Sequence, residues 1–389
     1  MKKRVAVLGA TGSIGKSVID VLRAGRDYFE PVLFSCHRDA APLIALKKEF
    51  PAALLALSGA ETAPEGVYAG KAGLLHAAAV CGADIAVNGI SGAAGLPPSL
   101  AALEAGADLA LANKETVVMA APLVFETARR RGKRIIPVDS EHAAVFNLIE
   151  AHGRETVAEI ILTASGGPFR KTAPEALARI RPVDALRHPT WSMGPKITID
   201  SATMANKGLE VIEAAFLFGA AREEISVVVH PASVVHALVR LKSGALYAEL
   251  SRPDMRLPIH HALHYPAHVP AAFGRLELGG PSFDLLSLEF EKPDTAKFPL
   301  LPLAFEAVAH GGAWPILYNA ANEAAVAAFL AEKIGFLDIS RVVEYVLNHS
   351  EYAASAVSPG DFTGDGALSL ILAIDRRGRE EAEAFMGRM

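Results

Sequence analysis

The 389-residue chain is predicted to be an α/β protein: an N-terminal Rossmann-like doubly wound parallel sheet, then an α+β domain, then a C-terminal helical bundle. Three observations predict this. Short aliphatic runs alternate with longer helical periodicity up to about residue 150, a glycine-spaced turn (Gly9, Gly12, Gly15) follows the first run, and beyond residue 300 only helical spacing remains. A chain of this length exceeds the size at which one hydrophobic core stops growing, so several domains are expected.

Strands buried on both faces of a parallel sheet read as near-continuous apolar runs. Such runs place strands at 4–8, 31–35, 53–57, 85–87, 108–111 and 134–138, within a nucleotide-binding domain spanning residues 1–150. The next domain, 151–265, is expected to hold strands at 159–163, 196–200, 225–229, 234–241 and 245–250 around a helix at 203–218. Prolines and glycines crowd 266–299, which reads as a connector. Residues 300–389 then form a helical domain, with helices at 304–310, 316–330, 340–348 and 368–385.

Half the residues are apolar and 21% charged, the composition of a globular protein. A net charge of −5 gives no general reason to bind nucleic acid or anionic lipid, so any bound phosphate must meet a local site. The two cysteines, Cys36 and Cys81, fit neither a thiolate metal site nor a disulfide framework, which points to the reducing cytoplasm. The basic start and the apolar run Val5–Leu8 end at Gly9, too early for a signal peptide, and no stretch is expected to span a membrane.

In the glycine turn, the backbone can approach a pyrophosphate while the amides of the following helix attract the anion. A dinucleotide is favoured over a merely tight strand-to-helix turn. At His37-Arg38-Asp39, where the second strand ends, Arg38 suits the 2′-phosphate of NADP, although an exposed Arg38–Asp39 ion pair is the alternative.

Asp139-Ser140-Glu141 follows a strand, at the edge where open α/β sheets place ligands. Its two carboxylates can converge on a hard divalent cation with Ser140 facing a substrate, or the three residues can cap the next helix. Asn113-Lys114-Glu115 stands at another strand end; Lys114 could stabilise developing negative charge there, or the triplet could be a solvated turn. Ser165-Gly166-Gly167 could form an amide nest for an anion or a plain turn. Ser201, Asn206 and Lys207 offer donors to a phosphate dianion, and Glu210 could complete a three-carboxylate metal site. A surface Lys207–Glu210 salt bridge is the competing reading.

These blocks resemble the 1-deoxy-D-xylulose 5-phosphate reductoisomerase family. The most specific are Pro137-Val138-Asp139-Ser140-Glu141-His142, Leu162 to Phe169, and His188-Pro189-Thr190-Trp191-Ser192-Met193-Gly194 through Asn206-Lys207-Gly208-Leu209-Glu210. The resemblance implies a V-shaped homodimer that uses NADPH and one Mg²⁺, Mn²⁺ or Co²⁺ ion to convert 1-deoxy-D-xylulose 5-phosphate to 2-C-methyl-D-erythritol 4-phosphate in isoprenoid biosynthesis. It assigns Asp139, Glu141 and Glu210 to the metal, and Ser165, His188, Ser201, Asn206 and Lys207 to the substrate phosphate. Lys114 and Ser140 fall at the carbonyl and hydroxyl end of the substrate, with Lys114 acting electrostatically or in proton transfer. Thr11, Gly12, Ser13, Ile14, Asn113, Glu115 and Gly194 fall at the cofactor, where His37, Arg38 and Asp39 depart from the usual family residues. The stretch near 186–194 corresponds to a lid carrying His188, Pro189, Trp191 and Met193, in which Trp191 would exclude water, a core tryptophan being the alternative. His260, His264 and His268 lie outside these blocks and read as packing residues. An NADP-dependent paralogue with another substrate, or a redox-sensing regulator, is the competing function; the three carboxylates argue against both.

Overall fold

The computed structural model describes residues 1–187, 193–278, 287–355 and 357–389. Two compact units emerge: Met1–Thr116, Val124–Ala143 and Asp254–Arg275 form the first, and Val117–Leu123, Ala144–Pro253 and Leu276–Met389 the second.

In the first unit the chain alternates β1 (Lys3–Leu8), α1 (Ser13–Ala24), β2 (Phe29–Cys36), α2 (Ala40–Glu49), β3 (Leu54–Leu57), β4 (Val67–Ala69), α3 (Gly70–Val80), β5 (Ile85–Asn88), α4 (Leu96–Glu104), β6 (Asp108–Leu111), α5 (Lys114–Arg131), β7 (Ile135–Pro137) and α6 (Ser140–His152). Helices α5 and α6 also carry residues of the second unit. The seven strands are ordered β4-β3-β2-β1-β5-β6-β7, all parallel. Strand order reverses between β1 and β5, which puts the ends of β1, β5, β6 and β7 where doubly wound folds bind ligands. Val5, Val7, Phe34, Leu55, Ile85 and Val87 fill the core beside Val18, Ile19 and Leu22 of α1. Pro122 removes a helical donor within α5, and Ala120 leaves helical geometry (φ −141°) two residues before it.

The second unit is built from β8 (Val157–Ala164), α7 (Pro182–Ala185), α8 (Pro195–Ala202), α9 (Ala205–Leu217), β9 (Ile225–Val229), β10 (Val235–Leu241) and β11 (Leu246–Leu250), and, after α10 (Arg256–His264), from α11 (Leu300–His310), α12 (Trp314–Leu330), α13 (Asp338–His349), α14 (Glu351–Ala354) and α15 (Ala367–Met386). Its sheet runs β11-β10-β8-β9, with β8 and β9 parallel and the other pairs antiparallel. Helix α11 packs on α9, and α12 touches α8, α13 and α15.

Three features differ from the sequence reading. Residues 196–200, expected as a strand because Ile197, Thr198 and Ile199 are β-branched, lie in helix α8. Gly194 and Pro195 start that helix, Thr198 Oγ1 donates back to the Gly194 carbonyl at 2.8 Å, and Lys196 reaches Asp200 one turn on at 2.9 Å, so local bonding outweighs propensity. Strand β4, only three residues long, is too short to leave a pattern. Helix α10 belongs to the first unit: it packs on α1, β6 and β7 and buries Ile259, Ala262 and Leu263 in that core. The anticipated boundary at residue 265 thus crosses a compact unit, and residues 300–389 share a unit with the four-stranded sheet. Among the described residues no helix is long and apolar enough to cross a membrane.

Candidate active site

Gly9 has φ +87°, a left-handed value that favours glycine, and a β-carbon at Gly15 would stand 2.5 Å from the Ala10 Cα. The loop is therefore drawn tightly onto α1. Ser35 secures it, accepting the Gly9 amide at 3.1 Å through Oγ and the Ala10 amide at 2.7 Å through its carbonyl. Gly12 and Ser13 are exposed and Thr11 and Ile14 half-buried at the start of the helix, which suits an anion approaching its N-terminus.

At the end of β2, Asp39 caps α2 by accepting the Ala41 amide at 3.0 Å, and His37 Nδ1 lies 3.1 Å from Ser58 Oγ. Arg38 is exposed, and no hydrogen bond or ion pair of its side chain occurs among the described residues. The alternative Arg38–Asp39 ion pair is not formed. Asp39 is occupied with its helix, which leaves the guanidinium for a ligand.

Asn113 caps α5: its Oδ1 accepts the Thr116 amide at 2.9 Å. Its Nδ2 donates to the carbonyls of Ile90 at 2.7 Å and Gly92 at 3.0 Å, and to Glu115 Oε2 at 2.8 Å. These bonds tie the loop after β5 to the first turn of α5. Lys114, 6% exposed, pairs with Asp139 Oδ2, so the triplet is no solvated turn. Ser140 Oγ donates to Glu141 Oε2 at 2.6 Å. Asp139 and Glu141 each offer a carboxylate oxygen, and these lie within 4.8 Å of each other. One cation with bonds of about 2.0–2.6 Å spans that gap, and an all-oxygen donor set suits a hard divalent ion. Helix α6 begins at Ser140, and the Asp139 carbonyl accepts the Ala143 amide at 2.8 Å. The capping alternative thus holds for the Asp139 backbone, while its carboxylate turns to Lys114. His142, which the sequence reading left without a role, is fully buried, with Nδ1 3.7 Å from Asp139 Oδ1.

In the second unit, Gly166 and Gly167 have φ of +82° and +67°, and a β-carbon on Gly167 would meet the Ser201 carbonyl oxygen at 2.6 Å. Only a glycine loop brings Ser165 this close to the end of α8; Ser165 Oγ accepts the Gly167 amide at 3.3 Å. Met204 adopts a left-handed φ of 63° between α8 and α9, which sets Asn206 and Lys207 in the first turn of α9. Asn206 Nδ2 donates to Glu210 Oε1 at 2.6 Å, and Lys207 Nζ pairs with Glu210 Oε2. With Lys207 3% and Glu210 0% exposed, this is a buried pair, not the competing surface salt bridge. Gly194 caps α8, preceded by half-buried Met193. His188, Pro189 and Trp191 lie outside the described residues.

Sequence reasoning passed over Asp200, which is 1% exposed and held between Lys196 at 2.9 Å and Asn322 at 2.8 Å. The available signal was a pair of amides, Asn319 and Asn322, which with Glu323 interrupt the largely apolar run 313–330.

The comparisons agree along the whole chain. Residues 5–121 match the family described as 1-deoxy-D-xylulose 5-phosphate reductoisomerase. Residues 135–218 match its C-terminal domain, and residues 250–381 match a further DXP reductoisomerase C-terminal domain. A 1-deoxy-D-xylulose 5-phosphate reductoisomerase of Chlorobium chlorochromatii is 45% identical over 99% of this chain and 100% of its own. That of Treponema pallidum is 49% identical over 89% of this chain and 90% of its own. Among solved structures, a DOX-P reductoisomerase in complex with NADPH, fosmidomycin and magnesium superposes with a TM-score of 0.88 at 37% identity, covering 99% of this chain and 98% of the other. The Zymomonas mobilis enzyme in complex with NADPH gives 0.85 at 39% identity, with full coverage of both chains. On this full-length likeness, the chain belongs to the 1-deoxy-D-xylulose 5-phosphate reductoisomerase family.

Proposed function

We propose that the chain binds NADPH and a divalent cation and converts 1-deoxy-D-xylulose 5-phosphate to 2-C-methyl-D-erythritol 4-phosphate, a step of isoprenoid biosynthesis, with the residues assigned above. The observation that carries the reading is the match at 45% identity over 99% of the chain. The site geometry within each unit supports it.

Asp139, Glu141 and Glu210 would hold the cation, which supplies Lewis-acid stabilisation of the oxygen charge developing as a carbon–carbon bond of the substrate breaks. Lys114, paired with Asp139, keeps an ammonium beside those oxygens to hold developing negative charge. Ser140 orients the substrate's hydroxyl end, and its present bond to Glu141 keeps the hydroxyl directed there. Ser165, Ser201, Asn206 and Lys207 bind the phosphate, joined by His188, so that binding energy far from the reacting carbons fixes their position. The lid, with His188, Pro189, Trp191 and Met193, excludes water during cleavage and re-aldolisation to the branched aldehyde phosphate. NADPH, when bound, would supply the hydride that reduces that aldehyde. The exposed turn at Thr11, Gly12, Ser13 and Ile14 takes the pyrophosphate, and Arg38, flanked by His37 and Asp39, the 2′-phosphate. Asn113, Glu115 and Gly194 line the nicotinamide half; since Asn113 Nδ2 is bonded to two carbonyls, its part there is to fix the wall.

Mg²⁺, Mn²⁺ or Co²⁺ each suits the oxygen donors. The protein acts in the cytoplasm as a homodimer, with nucleotide binding in the first unit and the catalytic and helical parts together in the second. Incubation with 1-deoxy-D-xylulose 5-phosphate, NADPH and Mn²⁺ tests the reading. EDTA-sensitive loss of cofactor absorbance with formation of methylerythritol phosphate is expected; tight NADPH binding without turnover would overturn it.

A further inference from the structure

Helix α8 ends at Ser201 and Ala202, and Asp200 immediately before them points away from solvent, 1% exposed. A carboxylate at that depth is tolerated only when charge and hydrogen bonds replace its water. Both oxygens are so satisfied: Oδ2 lies 2.9 Å from Lys196 Nζ, and Oδ1 accepts from Asn322 Nδ2 at 2.8 Å. Asn322 belongs to α12 and is itself fully buried. The bond joins positions 122 apart in sequence, so it fixes one helix on another rather than a local turn.

One turn earlier on the same face of α12, Tyr318 donates its hydroxyl to the Leu300 carbonyl at 3.0 Å. Burial, and then the charge of Asp200, hold that phenol well above its ordinary pKa, so it remains a donor. The hydroxyl also forms the floor under α9: a β-carbon on Gly208 would meet it at 2.5 Å and the Ala304 Cβ at 2.9 Å. Two residues of α12 thus seat both helices that carry the phosphate donors, Asn322 holding α8 with Ser201 and Tyr318 holding the first turns of α9 with Asn206 and Lys207.

We propose that Asn322 is a positioning residue for the substrate-phosphate site, acting through Asp200 to hold Ser201 in register with Asn206 and Lys207. The inference rests on the phosphate assignment made above. Asn322→Leu keeps the approximate volume, removes the donor and strands one oxygen of a buried carboxylate. A hydrogen bond to a charged group contributes enough that about a tenfold or greater rise in KM for 1-deoxy-D-xylulose 5-phosphate is expected. An equal weakening of inorganic phosphate binding by calorimetry should accompany it, with NADPH affinity unchanged within about twofold. If Asn322→Leu does not fold, Asn322→Ser, too short to reach Asp200, decides by the same readouts.

Unchanged KM and phosphate affinity in the folded variant would overturn the proposal. So would a loss of NADPH affinity as large as that of phosphate, which would mark a general defect. Lys207→Ala is measured alongside: if it too leaves phosphate binding intact, the phosphate assignment falls and the proposal with it. If only Lys207→Ala weakens phosphate, the assignment stands and Asn322 has no positioning role.

Discussion

Replacing Lys207 by Met tests the second unit's site at its most informative pair. Glu210 is fully buried, and Lys207 is 3% exposed; Asn206 holds one carboxylate oxygen at 2.6 Å and Lys207 the other. Met preserves the aliphatic stem and removes the ammonium paired with a fully buried carboxylate. Breaking one side of a buried pair costs about 3–5 kcal/mol. Hydrogen exchange of the α9 amides reads that cost locally, where whole-chain melting of two units would blur it. In EDTA, exchange of α9 should quicken by about two to three and a half orders of magnitude relative to the unsubstituted chain. Manganese then supplies the missing positive charge. At about one hundred times its dissociation constant it restores about 2.7 kcal/mol, while the unsubstituted chain gains less at the same concentration because the cation must displace Lys207. Protection of α9 that is insensitive to the substitution, or an equal manganese gain in both proteins, would refute the reasoning.

Asp139→Asn and Glu210→Gln should each abolish turnover while sparing NADPH affinity, measured by cofactor fluorescence; normal activity in either removes the metal assignment. Arg38→Ala, at a guanidinium with no partner among the described residues, should weaken NADPH by about tenfold and leave NADH unaffected. Equal losses would place the 2′-phosphate elsewhere. In the first unit, burial, followed by the charges of His260, Lys3 and His261, pushes the His264 imidazole from 6.5 down to about 4. The folded unit keeps it neutral while the unfolded chain protonates it, so its contribution is fully present above pH 6.5 and is lost as pH falls toward 4. His264→Phe, keeping a ring against Tyr28 and Phe29, should flatten the fall in unfolding midpoint between pH 7 and 4.5; an unaltered slope would exclude His264 as its source.

Much of this was legible because the chemistry sits on short local motifs. The run Val5–Leu8 is buried along its whole length, so its apolar pattern announced a central parallel strand, and the glycine spacing after it announced the turn. Asn206, Lys207 and Glu210 lie within one helical turn and a half, where i, i+3 and i, i+4 spacing alone brings side chains together. What depended on distant partners was hidden. Nothing in the β-branched run Ile197–Ile199 says that Lys196 will find Asp200, or that Asn322 will complete its shell. Helix α10 reads as part of the neighbouring domain because its apolar residues give no hint of which core they enter. The Lys207–Glu210 pair was visible as a spacing, but its burial, which turns a weak surface contact into a decisive one, was not.

That burial has a consequence for how such a site can exist before it meets its ligands. An all-oxygen cation site in a protein interior is a cluster of like charges, and an isolated carboxylate there would be driven to protonate. The chain counters this in each unit with a lysine placed close by: Lys114 on Asp139 and Lys207 on Glu210. Both lysines stand in the first turn of a helix, a position where a cation gains nothing from the helix dipole, so the carboxylate partner must account for their placement. Lys207 is also assigned to the substrate phosphate, and Lys114 to the oxygen that gains negative charge during the reaction. On that assignment, cation and substrate would enter the Lys207 pair by exchange of partners, the cation taking Glu210 as the phosphate takes the lysine. By linkage, whatever the phosphate gains from a lysine already released the cation gains equally from a carboxylate already freed. A manganese affinity in the unsubstituted chain that is indifferent to saturating phosphate would break that argument.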